Sequence, residues 1–193
     1  MARSARFRLL TTRLSFLRRH LLPSEFSPTG SYSERQLDRA RGYRLLVHAE
    51  FEAYIEDRCW ELVDTAIRKW KVDRRERHVL MSLLARCGPN SEATMALGDC
   101  IGKAGNAYFH TVRKNNGVRE YNLVGLLQPV GIERTELDGT WLSTIDSFGS
   151  DRGEVAHSSV GAQKPIDPRT ELVIVKQIRD GFEDVDELLN SLA

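Results

Sequence analysis

Two side chains suited to chemistry stand five residues apart in the segment Ser150–Ser159, whose sequence is SDRGEVAHSS. Arg152 carries a planar guanidinium that can bind a phosphate through two parallel hydrogen bonds. The imidazole of His157, with an ordinary pKa of about 6.5, can take up or release a proton near neutral pH. Because RNA supplies its own nucleophile, the 2′-hydroxyl, this pair predicts cleavage of RNA without a metal ion.

The residues around this pair predict its place in a helix. The letters FGS at 148–150 indicate a break, and Asp151 with Glu154 three residues later resembles a capping box. A helix that begins here would carry Arg152 in its first turn and His157 in its second. The free N–H groups and the positive dipole end of a helix start favour an anion. The sequence therefore predicts a phosphate site at the beginning of a helix.

The spacing of this Arg and His is a weak signal when taken alone. With 22 arginines and 5 histidines in 193 residues, chance gives roughly half a match to the pattern R-x4-H. The alternative is a surface arginine and a half-buried histidine near a helix start. The functional interpretation therefore depends on the rest of the chain.

Length and composition fit one globular domain. The 193 residues can bury a sizeable core, and 41% hydrophobic with 28% charged residues is ordinary for such a domain. A formal net charge of +1 gives no global basic field that demands a nucleic-acid partner. Three cysteines without a C-x-x-C pair disfavour a disulfide framework or a zinc site and favour a reducing cytoplasm. No apolar run approaches the roughly 18 residues that a membrane span needs. We therefore expect a cytoplasmic protein with no cofactor, no metal and no membrane partner.

The first 24 residues carry six arginines and no acid. Leucines and phenylalanines spaced among them predict a basic amphipathic helix over residues 3–22, ended by Pro23. This helix either lies on the domain or contacts RNA, and a mitochondrial presequence is a third possibility. We divide the chain into this helix with its loop, residues 1–32, and a helical domain, residues 33–193.

The remaining chain predicts an all-α protein, a bundle of about six to eight helices built around one long helix. Ser33 with Gln36, or Ser31 with Glu34, can cap a helix that has apolar residues three to five apart as far as Val72. Further helices are predicted for 74–86, from Ser91 to 115, for 118–127 and for 136–148, before the helix that carries Arg152. A final helix begins with Asp167 as cap and Pro168 at its first position.

Three segments in this order resemble the HEPN domains, within them the RiboL-PSP-HEPN-like group. They are the long-helix segment Arg39–Asp57, the segment Asn115–Ile132 with its Asn-Gly turn and short helix, and the R-x4-H element followed by a helix opened by Asp-Pro. The likeness spans about four fifths of the chain. The individual motifs are loose, and their order and spacing carry the resemblance.

The resemblance implies an all-α bundle that dimerises and a metal-independent endoribonuclease. Such proteins are common in toxin–antitoxin and antiviral defence systems, so RNA, a second copy and an antitoxin or other defence protein are the implied partners. Arg152 and His157 match the catalytic pair of the family. The position after the arginine is often Asn, Asp or His in the family but is Gly153 here. Asp151, Glu154 or Ser158 could supply the missing polar group.

Two readings compete with the nuclease. Gly153 favours a HEPN module without catalytic activity that binds RNA, a nucleotide or a partner protein. A structural helical protein with a coincidental motif is the other.

Two other places carry polar residues of interest. In the segment Tyr108–Asn122, which mixes aromatic with basic residues, Lys114 and Asn116 are candidates for RNA binding, whereas the aromatic residues are better explained as part of a helix end. His48 and Glu52 stand four apart and can share a helix face. Without a third ligand at suitable spacing, they are better explained as a solvated or core-edge polar pair than as metal ligands.

Overall fold

The computed structural model describes residues 3–89, 95–157 and 165–193, and the side chains of all of these except residues 154–157. Within these ranges the chain forms seven α-helices and no β-strand, so the predicted all-α class is confirmed. The helices are α1 (Ala5–Leu21), α2 (Glu34–Asp73), α3 (His78–Cys87), α4 (Leu97–Lys114), α5 (Glu120–Leu127), α6 (Gly139–His157) and α7 (Pro168–Ser191). Two short 3₁₀ turns, Gln128–Val130 and Arg134–Glu136, connect α5 to α6.

Helix α2 has 40 residues and packs against each of the other six helices. At 1.5 Å per residue it is about 60 Å long. Its start is fixed by Gln36, whose Oε1 accepts a hydrogen bond from the Ser33 N–H at 2.9 Å. It ends where Arg74 adopts a left-handed conformation with a φ of 56°. The Asp73 carboxylate then binds the Arg75 N–H and the Arg77 guanidinium, which is why α3 begins at His78 rather than at residue 74 as predicted.

The basic helix α1 lies on the domain, and its apolar residues belong to the same core as those of α2 and α7. Its buried side chains follow helical spacing and are Phe7, Leu10, Leu14 and Leu17. The Ser4 hydroxyl caps the helix by accepting from the Phe7 N–H at 3.0 Å. Several of its arginines pair with acids of α2. Arg6 binds Glu61 at 2.6 Å, and Arg13 binds Glu50 at 2.9 Å.

An aromatic layer joins α2, α6 and α7. The Phe182 ring stacks on Phe51 at a centroid distance of 5.0 Å and meets Trp141 edge-on at 5.3 Å. The Trp141 indole N–H donates to the carbonyl of Ile178 at 3.0 Å. Gly181 permits this close approach, because a Cβ at that position would lie 2.2 Å from the indole ring.

A buried carboxylate, Asp186 of α7, links three helices. It accepts hydrogen bonds from the Ser4 N–H at 2.7 Å, the Tyr54 hydroxyl at 2.9 Å, the Arg58 guanidinium at 3.1 Å and the Asn190 amide at 3.3 Å. We call these five residues the Asp186 cluster. Burial alone would raise the pKa of Asp186, but the hydrogen bonds from Ser4, Arg58 and Tyr54 outweigh burial and lower it. The carboxylate therefore stays ionised and fully bonded.

None of the helices in the described ranges is both long and apolar enough to cross a lipid bilayer.

Candidate functional site

The R-x4-H element lies within one continuous helix and not at a helix start. Helix α6 runs from Gly139 through to His157, so the predicted break at 148–150 and the predicted capping by Asp151 and Glu154 are wrong. Arg152 is therefore in the fourth turn of α6, away from its N-terminal N–H groups. The N–H groups at the start of α6 are therefore too far along the helix to bind a phosphate at Arg152.

The glycine that suggested a break serves close packing. A Cβ on Gly149 would lie 2.7 Å from the Cγ of Arg119, so the arginine stem lies directly against the helix backbone. The Arg119 guanidinium then forms two bonds of 3.0 Å with the Asp146 carboxylate one turn earlier. An interior helix glycine costs about 1 kcal/mol. The burial of Phe148 and this ion pair outweigh that cost, so the helix continues.

Arg152 is half-buried in the fourth turn of α6. Its Nε atom is shielded from solvent, and among the described residues it has no hydrogen-bond partner. Buried donors are nearly always paired in folded proteins, so an orphan guanidinium nitrogen needs an explanation. Its charge acts on His48, because the guanidinium is close enough to lower the pKa of that imidazole.

His48 is almost completely buried, with 2% of its surface exposed. Its ring stacks on Phe148 at a centroid distance of 6.2 Å and an interplanar angle of 25°. Burial, and secondly the charge of Arg152, lower the pKa of His48 to about 4, so the ring is neutral at neutral pH. Its Nδ1 lies 3.7 Å from a Glu52 oxygen, too far for a hydrogen bond, and has no other partner among the described side chains.

The Asn-Gly turn closes this site from the other side. The Gly117 N–H donates to the Glu52 carboxylate. A Cβ on Gly117 would lie 3.7 Å from the His48 ring, so the turn backbone lies against the imidazole. Gly117 has a φ of 124°, which side chains rarely tolerate. We call His48, Glu52, Gly117 and Arg152 the His48 cluster.

Two amides and a second glutamate hold the turn in place. The Asn115 amide donates to Glu56 at 2.8 Å and to the Gly117 carbonyl at 2.9 Å. The Asn122 amide donates to the Asn115 side-chain oxygen at 3.0 Å, and its own oxygen accepts from the Arg119 N–H at 3.2 Å. Burial raises the pKa of Glu56, against the hydrogen bond from Asn115. The turn is thus bound to α2 by its side chains.

The structure describes the side chains of only some of the predicted catalytic and supporting residues. Arg152 lies in the site above. Asp151 is half-buried beside it and, with Arg44 and Phe148, lines a groove along α6 and α7. Glu154 and His157 belong to α6, but their side chains, like all of Ser158, lie outside the described residues. Gly153 has open space around it, since a Cβ there would meet nothing within 4 Å.

The predicted RNA-binding residues lie next to the turn. Lys114 and Asn116 are both exposed, and Lys114 lines a surface cavity of about 320 Å³ together with Asn115 and Asn122. The nearby Tyr108 is a core residue, with its hydroxyl bonded to the Leu126 carbonyl at 2.7 Å. The aromatic side chains are thus divided between core and surface, because Phe109 is partly exposed and packs on Trp60.

His48 and Glu52 belong to the site, and sequence reasoning gave them no role in it. Their spacing indicated a shared face, but not that this face meets Arg152. The usable signal was position, because His48 lies between the buried Val47 and the buried Phe51, on the face of α2 that packs into the core. In the part of the chain that the structure describes, no group of three or more His, Cys, Asp or Glu side chains could hold a metal ion.

The arrangement presents one guanidinium that no described carboxylate neutralises directly. Its neighbour His48 is neutral, and the nearby Glu52 is bound to the turn backbone. A cation held in this way, at the edge of a buried polar cluster, is suited to an anion such as a phosphate. No protein-family model, no curated protein and no solved structure matches this chain.

Proposed function

We propose that this protein is a metal-independent endoribonuclease of the HEPN type, which cleaves RNA by attack of the 2′-hydroxyl on the adjacent phosphate. The observation that carries the proposal is that separate segments of the chain come together around one buried histidine. The three segments that resemble the HEPN domains are distant in sequence, and they converge on His48 of α2, because the Asn-Gly turn lies against its ring and the charge of Arg152 acts on it. A coincidental R-x4-H match gives no reason for such a meeting.

In the proposed reaction, Arg152 stabilises the negative charge that accumulates on the phosphate in the transition state. His157 transfers the proton, as base toward the 2′-hydroxyl or as acid toward the leaving 5′-oxygen. A second copy of the chain supplies a second His157, so that a homodimer holds one base and one acid. The products are a 2′,3′-cyclic phosphate and a 5′-hydroxyl.

Binding of the RNA is assigned to the side chains nearest the turn. Lys114 and Asn116 are exposed next to the amides that hold the turn, where their side chains are accessible to an RNA strand. Asp151, Glu154 and Ser158 remain the candidates for the polar group that Gly153 does not provide. The expected setting is a cytoplasmic toxin–antitoxin or antiviral defence system.

The experiment is incubation of the purified protein with a mixed RNA pool in EDTA, with analysis of the product ends. Arg152→Ala and His157→Ala should each reduce cleavage at least about 100-fold, the effect of removing one transition-state donor or one acid–base group. Arg68→Ala and His78→Ala are the matched controls. Both side chains are exposed, and Arg68 pairs with Asp64 within its own helix.

Undiminished cleavage by the Arg152 or His157 variant would refute the proposal. If the folded parent binds RNA without cleaving it, the HEPN module without catalytic activity becomes the better explanation. Open space at Gly153 makes Gly153→Asn a useful additional variant, because it adds a polar side chain without a predicted clash.

A further inference from the structure

The arginines in and just before α1 differ in whether a carboxylate neutralises them. Arg3 pairs with Glu183, and Arg13 pairs with Glu50. Arg6 pairs with both Glu61 and Asp57. Arg18, near the end of the same helix, has no carboxylate partner among the described residues. It lies instead over the ring of Phe26, with its Cζ 5.9 Å from the ring centroid.

A second unpaired arginine lies over the same ring. Arg169, in the first turn of α7, has its Cζ 5.8 Å from the Phe26 centroid. One half-buried phenylalanine therefore contacts two guanidinium groups, and within the described ranges neither group has an acidic partner. An anion that contacts both groups offsets the repulsion between their charges.

A cleft extends this cationic surface along α1 and α7. It has a volume of about 210 Å³, and its lining includes Arg18 and Lys176 at the edge with Tyr43 and Leu172 behind them. Lys176 is exposed and, in the described part of the chain, has no acidic partner. Three cations from two helices thus face one stretch of solvent.

This surface is at the same end of the bundle as Arg152. Two residues after Arg169, Glu171 forms a buried, two-pronged ion pair with Arg44 of α2. Arg44 in turn lines the groove that contains Asp151, the residue before Arg152. A chain bound across Arg18 and Arg169 can therefore continue toward the guanidinium of Arg152.

We propose that Arg18, Arg169 and Lys176, with Phe26 orienting the two arginines, bind the phosphate backbone of single-stranded RNA and lead it to Arg152. The inference rests on the proposed function for its choice of RNA over other polyanions. It assigns RNA binding to the end of α1 and not to its paired arginines. A flexible single strand suits separate cations on two helices better than a rigid duplex does.

The test uses the full chain with Arg152→Ala, so that RNA binding is measured whether or not the parent cleaves. Fluorescence anisotropy of a labelled 20-nucleotide oligouridine is recorded at several salt concentrations. Loss of two phosphate contacts in Arg18→Gln/Arg169→Gln should lower the slope of log affinity against log salt by about 1.4. This corresponds to binding about 25-fold weaker at 0.1 M salt. Circular dichroism verifies that each variant is folded.

The matched control is Arg6→Gln/Arg13→Gln, which removes the same charge from two paired arginines, both on α1. We expect its affinity and salt slope to stay close to those of the Arg152→Ala background. Equal loss in both double variants would overturn the inference, because net charge alone would then explain binding. An unchanged slope in Arg18→Gln/Arg169→Gln, or no RNA binding by the background protein, would also overturn it.

Two further arms separate this inference from the proposed function. Vesicles of phosphatidylserine and phosphatidylcholine that bind the protein when oligouridine does not would identify a lipid surface as the ligand and contradict the inference. A parent that binds RNA through these residues but cleaves nothing supports the inference and refutes the nuclease. A parent that cleaves RNA, but binds it equally well without Arg18 and Arg169, supports the nuclease and refutes the inference.

Discussion

The Asp186 cluster and the His48 cluster both include residues of the long helix α2, and they differ in how completely their polar atoms are hydrogen-bonded. Asp186 accepts four hydrogen bonds, and the nearby Arg58 also binds Asn190 at 2.7 Å. In the His48 cluster, Nδ1 of His48 and Nε of Arg152 have no partner among the described residues. The Asp186 cluster holds helices together, whereas the His48 cluster has nitrogen atoms that are still able to form hydrogen bonds.

This difference is informative because unsatisfied buried groups are costly. A buried polar atom without a hydrogen bond costs about 1–3 kcal/mol, so a fold keeps such atoms where they have another use. In most of a protein, local preferences and tertiary packing favour the same structure. Departures from this agreement, such as unsatisfied buried atoms, are expected at functional sites. Under the proposed function, we expect a phosphate of the RNA to supply the partner that Arg152 lacks among the described residues.

The largest effect is expected from breaking the complete cluster. Asp186→Ala leaves the Arg58 guanidinium buried without its carboxylate and removes the anchor of the Ser4 N–H. We expect a loss of about 3–5 kcal/mol in the free energy of unfolding. Urea denaturation measures it, with the exposed Asp180→Ala as control. A cost below 1 kcal/mol would show that the cluster does not hold α1 and α7 to α2.

The next largest effect is a loss of stability at low pH. The pKa of His48 is about 4 in the folded protein and about 6.5 in the unfolded chain. Between these values the unfolded chain binds a proton that the folded protein excludes, so stability falls as pH falls through this window, by about 3 kcal/mol. His48→Phe should lose less stability than the parent between pH 6.5 and 4, in urea titrations at each pH. The exposed His78→Phe is the control, and identical losses in parent and His48→Phe would contradict the prediction.

A smaller effect is expected where the turn meets the cluster. Gly117 has a φ of 124°, and Gly117→Ala should cost about 1–2 kcal/mol because a Cβ strains this conformation. Gly102→Ala in α4 is the control, since its surroundings are open and alanine favours the helix. Thermal unfolding of both variants gives the comparison. An equally stable Gly117→Ala protein would mean that the turn relaxes freely.

The smallest effect should come from the orphan arginine. Arg152→Met removes a charge whose Nε makes no hydrogen bond in the described structure, so stability should change by less than about 1 kcal/mol and in either direction. The pKa of His48 should rise above 4, because the Arg152 charge helps to lower it. NMR titration of the imidazole measures this rise. A large destabilisation would place Arg152 with the structural residues, like Arg58.

Local signals predicted the helices well because caps act within one turn. Asp167 accepts from the Thr170 N–H at 2.7 Å and Pro168 opens α7, as expected from the sequence. Of the two alternatives for α2, Ser33 with Gln36 is the one that forms. In these cases donor and acceptor are three residues apart, so the sequence alone contains the whole interaction.

The break predicted before Asp151 failed for the opposite reason. Gly149 carries the usual sign of an interruption, but its neighbour Arg119 is 30 positions away in the chain and fills the space beside it. The His48 cluster likewise could not be predicted from the sequence, because His48, Gly117 and Arg152 come from three distant segments. Their types and spacings say nothing about which helix faces which, and this decides the site.

The hydrogen bond between the Ser4 N–H and Asp186 joins residues that are 182 positions apart. At 5–20 residues per second, the ribosome needs roughly 10–35 s to travel between them. During that interval the Ser4 N–H lacks its acceptor and Arg3 lacks its partner Glu183, whereas Arg6 and Arg13 can already pair with α2. We therefore expect a late docking step in the synthesis of this protein, in which α7 fixes the start of α1 only after α1 and α2 have both been made.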